Sequence, residues 1–207
     1  MINTVIVAGG KFPKDDIFNE VAKNADYIIA ADSGYDYLIK QNVKVNYLIG
    51  DFDSIEYDIT KVKTPDIIQF PKEKDFTDLH IAINKAIEIG SNKVTILGAT
   101  GTRLDHTITN IFLLKILFDS GINGKIIDDN NEVMLVNGKV EILKTHYKYL
   151  SVIPLSDNTE VNISGVKYPL KNKRVSFNDS LCISNEINEK TATVEVSSYS
   201  LVIQSND

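Results

Sequence analysis

The chain has 207 residues, 43% of them apolar and 24% charged, enough for one large domain or two small ones with a sizeable core. With 28 acidic against 22 basic residues its net charge is -6, which disfavours binding to nucleic acid or to an anionic membrane through field alone. The lone Cys182 excludes an internal disulfide framework, and "MINTVIVAGG" breaks into glycines too early for a signal peptide; with no apolar run of about 18 residues, a cytoplasmic protein without a membrane span is expected.

In chain order, the first part alternates strands with helices. "NTVIVAGG" and "YIIAADSG" read as buried strands ending in glycine turns, followed by the strands "NYLIGDFDS", "DIIQF", "KVTILGATG" and "GKIIDDN". Helices are expected over 15–23, 35–41, 77–89 and 105–118; in the third, Leu79, Ala82, Ile83, Ala86 and Ile87 keep helical spacing and Gly90 supplies a stop. Short apolar runs joined through helices mean a mostly parallel sheet flanked by helices. After Asn130 the pattern changes to "EVMLV", "KVEIL", "KYLSVIPL", "TEVNIS", "SLCISN", "TATVEV" and "SLVIQ", separated by turn signals such as "NG", "SDN" and "NDS". This predicts a small all-β sandwich or barrel. The fold class is therefore α/β followed by all-β, with domains 1–129 and 130–207 meeting at the polar cluster "DDNNE".

In an open parallel sheet, ligands bind beyond the C-terminal strand ends. Several strands of the first domain end in, or are soon followed by, an aspartate: Asp32, Asp51 with Asp53, Asp78 and Asp105. Aspartate is also a turn former and a helix cap, and that is the competing reading for Asp32, Asp78 and Asp105 taken singly. Asp51 and Asp53 are two apart; an extended backbone would turn both carboxylates to the cleft and Phe52 into the core. Such a pair repels unless a cation lies between, and Mg²⁺, which takes one or two carboxylates plus substrate phosphates, fits. A solvated acidic turn is the alternative.

"GATGTRLDH", 98–106, matches neither glycine-rich nucleotide motif. It still offers close backbone approach at Gly98 and Gly101, hydroxyls at Thr100 and Thr102, a bidentate cation at Arg103 and the positive end of the following helix. That combination reads as a phosphate clamp working with Arg and metal. Asp105 is a cap, a metal ligand or a ligand contact, and His106 a packing or a catalytic group.

"GDFDSI", "KDFTDLHIAI", "LGATGTRLDHTITNI", "SGVKYPL" and "ISNEI" occur in the order and at the spacing of thiamine pyrophosphokinases, and this resemblance covers nearly the whole chain. It implies a nucleotide-binding α/β domain, a thiamine-binding and dimerising β-sandwich, and a homodimer whose active sites are shared between subunits. The implied reaction moves a pyrophosphoryl group from ATP to the thiamine hydroxyl, giving thiamine diphosphate and AMP with Mg²⁺ or Mn²⁺. By the same resemblance Asp32, Asp51, Asp53, Asp78 and Asp105 are acidic metal, nucleotide or catalytic positions, with Asp51, Asp53 and Asp78 on the metal. Thr77 and Arg103 are phosphate contacts, and Ser184 and Asn185 belong to the stretch that reaches thiamine. Two departures stand out: Ser33 in "ADSG" where "ADGG" is usual, and no Trp, where many members carry one near the end. The proton acceptor stays open among Asp78, Asp105 and a metal-bound water. Two other readings share these residues, a kinase for a small alcohol that releases ADP and a non-catalytic nucleotide or thiamine sensor.

Overall fold

The computed structural model describes residues 1–58, 66–71 and 75–207. They form two compact units, Met1–Asp129 and Asn130–Asp207.

In the first unit, β1 (Asn3–Val7), β2 (Tyr27–Ala31), β3 (Tyr47–Gly50), β4 (Asp66–Gln69), β5 (Lys93–Leu97) and β6 (Asn123–Ile127) alternate with helices. These are α1 (Asp15–Ala22), α2 (Gly34–Lys40), α3 (Asp78–Glu88), α4 (Leu104–Phe112) and α5 (Leu114–Asp119). The strands pair in parallel in the order β6-β5-β1-β2-β3-β4. The central strands are mostly apolar because both faces are covered, with Thr4 and Thr95 buried among them. Val5, Val7, Ala30, Leu48 and Leu97 pack with Phe18 of α1 and with Tyr37 and Leu38 of α2. Their neighbours of opposite parity, Ile6, Ile29, Ile49 and Ile96, are fully buried as well, and α3 packs on β1, β2 and β3. Chain order runs outward from β1 through β4 on one side and from β5 to β6 on the other, so connections leave β1 and β5 in opposite directions and open a crevice between their C-terminal ends.

The expected helix over 105–118 is in fact two, with Leu113 ending α4 and beginning α5. The break lets α5 turn Leu114 and Leu117 into the core, whereas no residue of α4 is buried. Among the described residues, no helix is long and apolar enough to cross a membrane.

The second unit is antiparallel: β7 (Asn131–Leu143), β8 (Tyr149–Pro154), β9 (Thr159–Ser164), β10 (Leu170–Val175) and β11 (Thr191–Ser205). Two expected breaks are absent. Asn137-Gly138 does not turn the chain but lies inside β7, with Gly138 at φ 99° facing the register shift of β11 between Val196 and Ser200. That shift lets β11 pair with β9 along its first half and with β8 along its second. Hydroxyls fill it: Thr159 and Ser156 lie 2.6 and 2.8 Å from the Ser198 oxygen, and Ser197 accepts the Glu160 amide at 2.8 Å. "SLCISN" is irregular rather than a strand and joins β8 through the Leu150–Asn185 bridge and through the Val152 amide, which donates to Cys182 O at 2.9 Å. The polar "LKNKRV", not expected to be a strand, is β10, paired among the described residues with β9 alone; its lysines suit a sheet edge. Val152, Val161, Ile163, Val194 and Val202 form this unit's core.

Gly34 opens α2 at a close approach: a Cβ there would lie 2.1 Å from the Val7 carbonyl oxygen. Its φ lies outside the left-handed region, so only packing is at stake. Gly34→Ala is expected to destabilise the protein by about 1–3 kcal/mol, the range for overpacking, read as a lowered urea midpoint at unchanged slope.

Candidate functional site

A cavity of about 390 Å³ opens at the β1–β5 crevice. Its walls come from four strand ends and two helix starts: Ala8 to Gly10 after β1, Ala31 to Ser33 after β2, Ser54 beyond β3, Gly98 to Arg103 after β5, Thr77 to Leu79 at the start of α3, and His106, Thr107 and Asn110 on α4.

The loops after β1 and β5 are stitched together. Gly10 N donates to Gly98 O and Lys11 N to Thr100 O, each at 2.7 Å. Gly98 sits at φ 65°, and a Cβ on it would lie 2.2 Å from the Ala8 oxygen, so only glycine permits this contact. The α4 side chains brace the same loop. Thr107 Oγ1 accepts the Gly101 amide at 3.2 Å and donates to Arg103 O at 3.0 Å, and Asn110 Nδ2 donates to Ala99 O at 2.8 Å. Thr100 Oγ1 donates to Asp128 at 2.9 Å. The phosphate-clamp reading of 98–102 is thus modified. Gly98, Thr100, Gly101 and Thr102 line the cavity, but the Gly101 amide and the Thr100 hydroxyl are engaged within the protein, and the glycines chiefly permit close loop packing.

Asp32 is the most perturbed acid of the cavity. It adopts φ 51°, its Oδ2 accepts the Ser54 hydroxyl, and its Oδ1 is buried without a hydrogen-bond partner among the described residues. Burial pushes its carboxyl above the usual carboxylate range; the Ser54 hydrogen bond opposes this, and the charges of Asp78 and Asp51 push it further up. Asp78 lies in the first turn of α3, behind Thr77, whose Oγ1 caps the helix by accepting the His80 amide at 3.3 Å.

Asp51 and Asp53 do not share one direction by strand geometry. The strand ends at Gly50, Phe52 takes φ 69°, and Asp51 Oδ1 accepts the Asp53 amide at 3.1 Å in a tight turn. Phe52 does pack on the core, as expected. Asp51 stands near enough to act on Asp32, while neither Asp51 nor Asp53 lines the cavity itself. Among the described residues, no three acidic, histidine or cysteine side chains converge as a complete metal site. The donors still suit a hard cation that keeps other oxygen ligands: Asp32 has an orphaned oxygen, and Asp78 and Asp51 stand near enough for their charges to act on it.

Arg103 precedes α4 and pairs with Asp105, Nη2 to Oδ2 at 2.6 Å and Nε to Oδ1 at 3.2 Å, with both side chains about two-thirds exposed. Asp105 is separate from the cavity lining, and the Arg103 hydrogen bond lowers its pKa to about 2, which makes it a weak proton acceptor.

In the second unit, Ser184 takes φ 59° and its amide donates to Ser151 Oγ at 3.0 Å. Asn185 is buried and bound to backbone: Oδ1 accepts the Tyr168 and Glu186 amides at 3.0 and 2.9 Å, and Nδ2 donates to Tyr168 O at 2.8 Å. Its side chain brackets two loops together.

Sequence reasoning missed Gly9, Gly10, Ser54, Thr107 and Asn110 as cavity residues. The glycines after β1 were legible, since that strand ends as β2 does; Thr107 and Asn110, four and seven residues past Arg103 on one helix face, carried the same kind of signal.

Family comparison bears on this geometry. The family model described as "Thiamin pyrophosphokinase, catalytic domain" matches residues 18–126, and "Thiamin pyrophosphokinase, vitamin B1 binding domain" matches 139–203. The chain is 34% identical over 211 residues to a thiamine pyrophosphokinase from Bacillus subtilis (strain 168), covering 98% of each. Among solved structures it is similar to a thiamine pyrophosphokinase from Bacillus subtilis, with TM-score 0.90, 30% identity and 99% of each chain covered. It is also similar to one from Geobacillus thermodenitrificans, with TM-score 0.87 and 30% identity, covering 100% of this chain and 98% of that one.

The Arg103–Asp105 pair can be tested alone. By carboxyl NMR, Asp105 should titrate at about 2 and return to roughly 3.9 in Arg103→Gln. Since the folded value is depressed, whatever stability the pair gives is present above the unfolded value and lost as pH falls toward 2. With both side chains about two-thirds exposed, that contribution is small.

Proposed function

The chain belongs to the thiamin pyrophosphokinase family, and from that premise we propose how its residues carry out pyrophosphoryl transfer from ATP to the hydroxyl of thiamine, giving thiamine diphosphate and AMP. Thiamine pyrophosphokinase activity follows from both domain matches and from the full-length relative. The observation that carries the residue-level reading is Asp32: a strained, half-buried carboxylate with an unpartnered oxygen, facing Asp78 and Asp51 at the switch point of the sheet.

Mg²⁺, or Mn²⁺, would be held by Asp51 and Asp78, with Asp53 beside them, and would supply charge neutralisation on the triphosphate. Asp32 accepts through Oδ1, orienting the nucleotide or a water, and its raised pKa makes it a better proton acceptor than Asp105. Arg103, once it exchanges Asp105 for phosphate oxygens, steadies the triphosphate together with Thr77, Thr102 and the Gly98 turn. Catalysis is then positioning and charge stabilisation, as expected of phosphoryl-type transfer, with the alcohol attacking the β-phosphorus and AMP leaving. The second unit, including Ser184 and the frame set by Asn185, serves thiamine; the vitamin B1 binding match over 139–203 supports this.

A homodimer with shared sites also belongs to this reading. It is supported by α4, where Leu104, Ile108 and Phe112 form a stripe at helical spacing that is 71%, 50% and 52% exposed. Such a stripe on a soluble helix calls for a partner surface. A cytoplasmic location agrees with the lone cysteine.

Two outcomes test the proposal. With ATP, Mg²⁺ and thiamine, phosphorus NMR should show thiamine diphosphate and AMP in equal amounts, and Asp51→Asn should lower turnover by on the order of a hundredfold in excess metal while staying folded. ADP as the main product would instead mean a simple kinase, and near-normal Asp51→Asn turnover would remove the metal assignment. For assembly, Ile108→Asp should shift the sedimenting mass to that of one chain and lose activity with it; a folded variant that keeps the wild-type mass excludes α4 from the interface.

A further inference from the structure

The segment after β3 carries Asp51, Asp53 and Ser54, and its far end is held by a carboxylate outside the cavity. Asp36 lies in the first turn of α2, and its two oxygens accept the amides of Glu56 at 2.9 Å and Tyr57 at 3.0 Å. Two successive amides on one carboxylate fix both the place and the direction of the backbone, through charge-assisted bonds. The Tyr57 ring meets buried Tyr35 edge-on, centroids 6.0 Å apart, which seats the same point on α2. Nearer the cavity, Ser54 donates to Asp32 and Ile55 N donates to Phe52 O at 3.3 Å. Asp32 and Asp36 are four residues apart at the β2–α2 junction, so one short stretch grips the segment twice, inside the cavity through Asp32 and outside it through Asp36.

We propose that Asp36 is a positioning residue for pyrophosphoryl transfer: by holding the Glu56 and Tyr57 amides it sets where Asp51 stands and keeps Ser54 on the Asp32 carboxylate. This rests on the role proposed above for the acidic cluster. Asp36 does not line the cavity, so its effect must pass through the segment it holds. Displacement by about 1 Å is enough to cost up to a hundredfold in rate.

The test uses the full chain with Asp36→Ala and Asp36→Asn, the second keeping one acceptor oxygen. Asp36→Ala should lower kcat by on the order of tenfold or more and leave the KM for thiamine unchanged. Amide exchange should rise over 51–58 while β1, β2 and β5 keep their protection, and Asp36→Asn should recover part of kcat. Wild-type kcat in Asp36→Ala overturns the proposal, as does a loss of kcat accompanied by loss of protection across all of 1–129, which marks plain destabilisation. If Asp36→Ala does not fold, Asp36→Asn decides: a smaller kcat loss with local exchange supports the role, and unchanged kcat and exchange exclude it. Asp51→Asn measured alongside separates the two readings. Full turnover there with Asp36→Ala impaired removes the metal assignment and keeps the positioning role, and the reverse pattern removes Asp36 alone.

Discussion

The site depends first on one feature of the sheet, the reversal of strand order between β1 and β5. Parallel strands on either side send their connections apart, which leaves the carboxyl ends of β1 and β5 uncovered. Two loops must then close what the helices do not. They do so by bonding to each other, Gly10 to Gly98 and Lys11 to Thr100, and that contact is possible because Gly98 occupies left-handed space with no Cβ against the Ala8 carbonyl. The α4 wall reaches back to this seam through Thr107 and Asn110, and Asp128, outside the lining, through Thr100.

Around this frame the protein carries local cost. Asp32 and Phe52 both sit at positive φ, a conformation worth roughly 1–2 kcal/mol against a residue with a Cβ, though less for Asp. Asp32 is also partly removed from water beside two like charges. Strain and repulsion concentrated on one carboxylate, with Ser54 as a partial offset, support the proposed role of Asp32 toward a cation or a donor on the ligand.

Much of this was legible because the informative patterns are local. Buried parallel strands are apolar runs, and "NTVIV", "YIIAA" and "KVTIL" are found where the runs are. Asp32 and Asp78 line the cavity at the carboxyl edge that chain direction fixes, whereas Asp51, Asp53 and Asp105 lie off its lining. What escaped depends on partners distant in sequence. Asn137-Gly138 carries a strong turn signal, yet β11 pairs along the whole of β7, so the glycine is absorbed opposite a register shift. "LKNKRV" lacks an apolar face because an edge strand needs only β9 beside it. The two-residue spacing of Asp51 and Asp53 implied a shared direction only while the backbone stayed extended, and the turn at Phe52 ends that. Asn185 gave no sign that its amide would be spent on Tyr168.

The departure "ADSG" shows how such a site absorbs a change. A Cβ on Gly9 would lie 2.2 Å from the Ser33 oxygen, so the side chain at 33 takes up space that the residue at 9 leaves open. Both positions line the cavity, one after β1 and one after β2. Next to Ser33, Gly34 meets the Val7 carbonyl closely, and α2 starts there. Serine puts a hydroxyl on the cavity wall, and a side chain at position 9 would require that hydroxyl to rotate away. The two positions meet because they follow adjacent parallel strands whose ends are in register, Val7 beside Ala30, which brings two short motifs far apart in the chain into one surface.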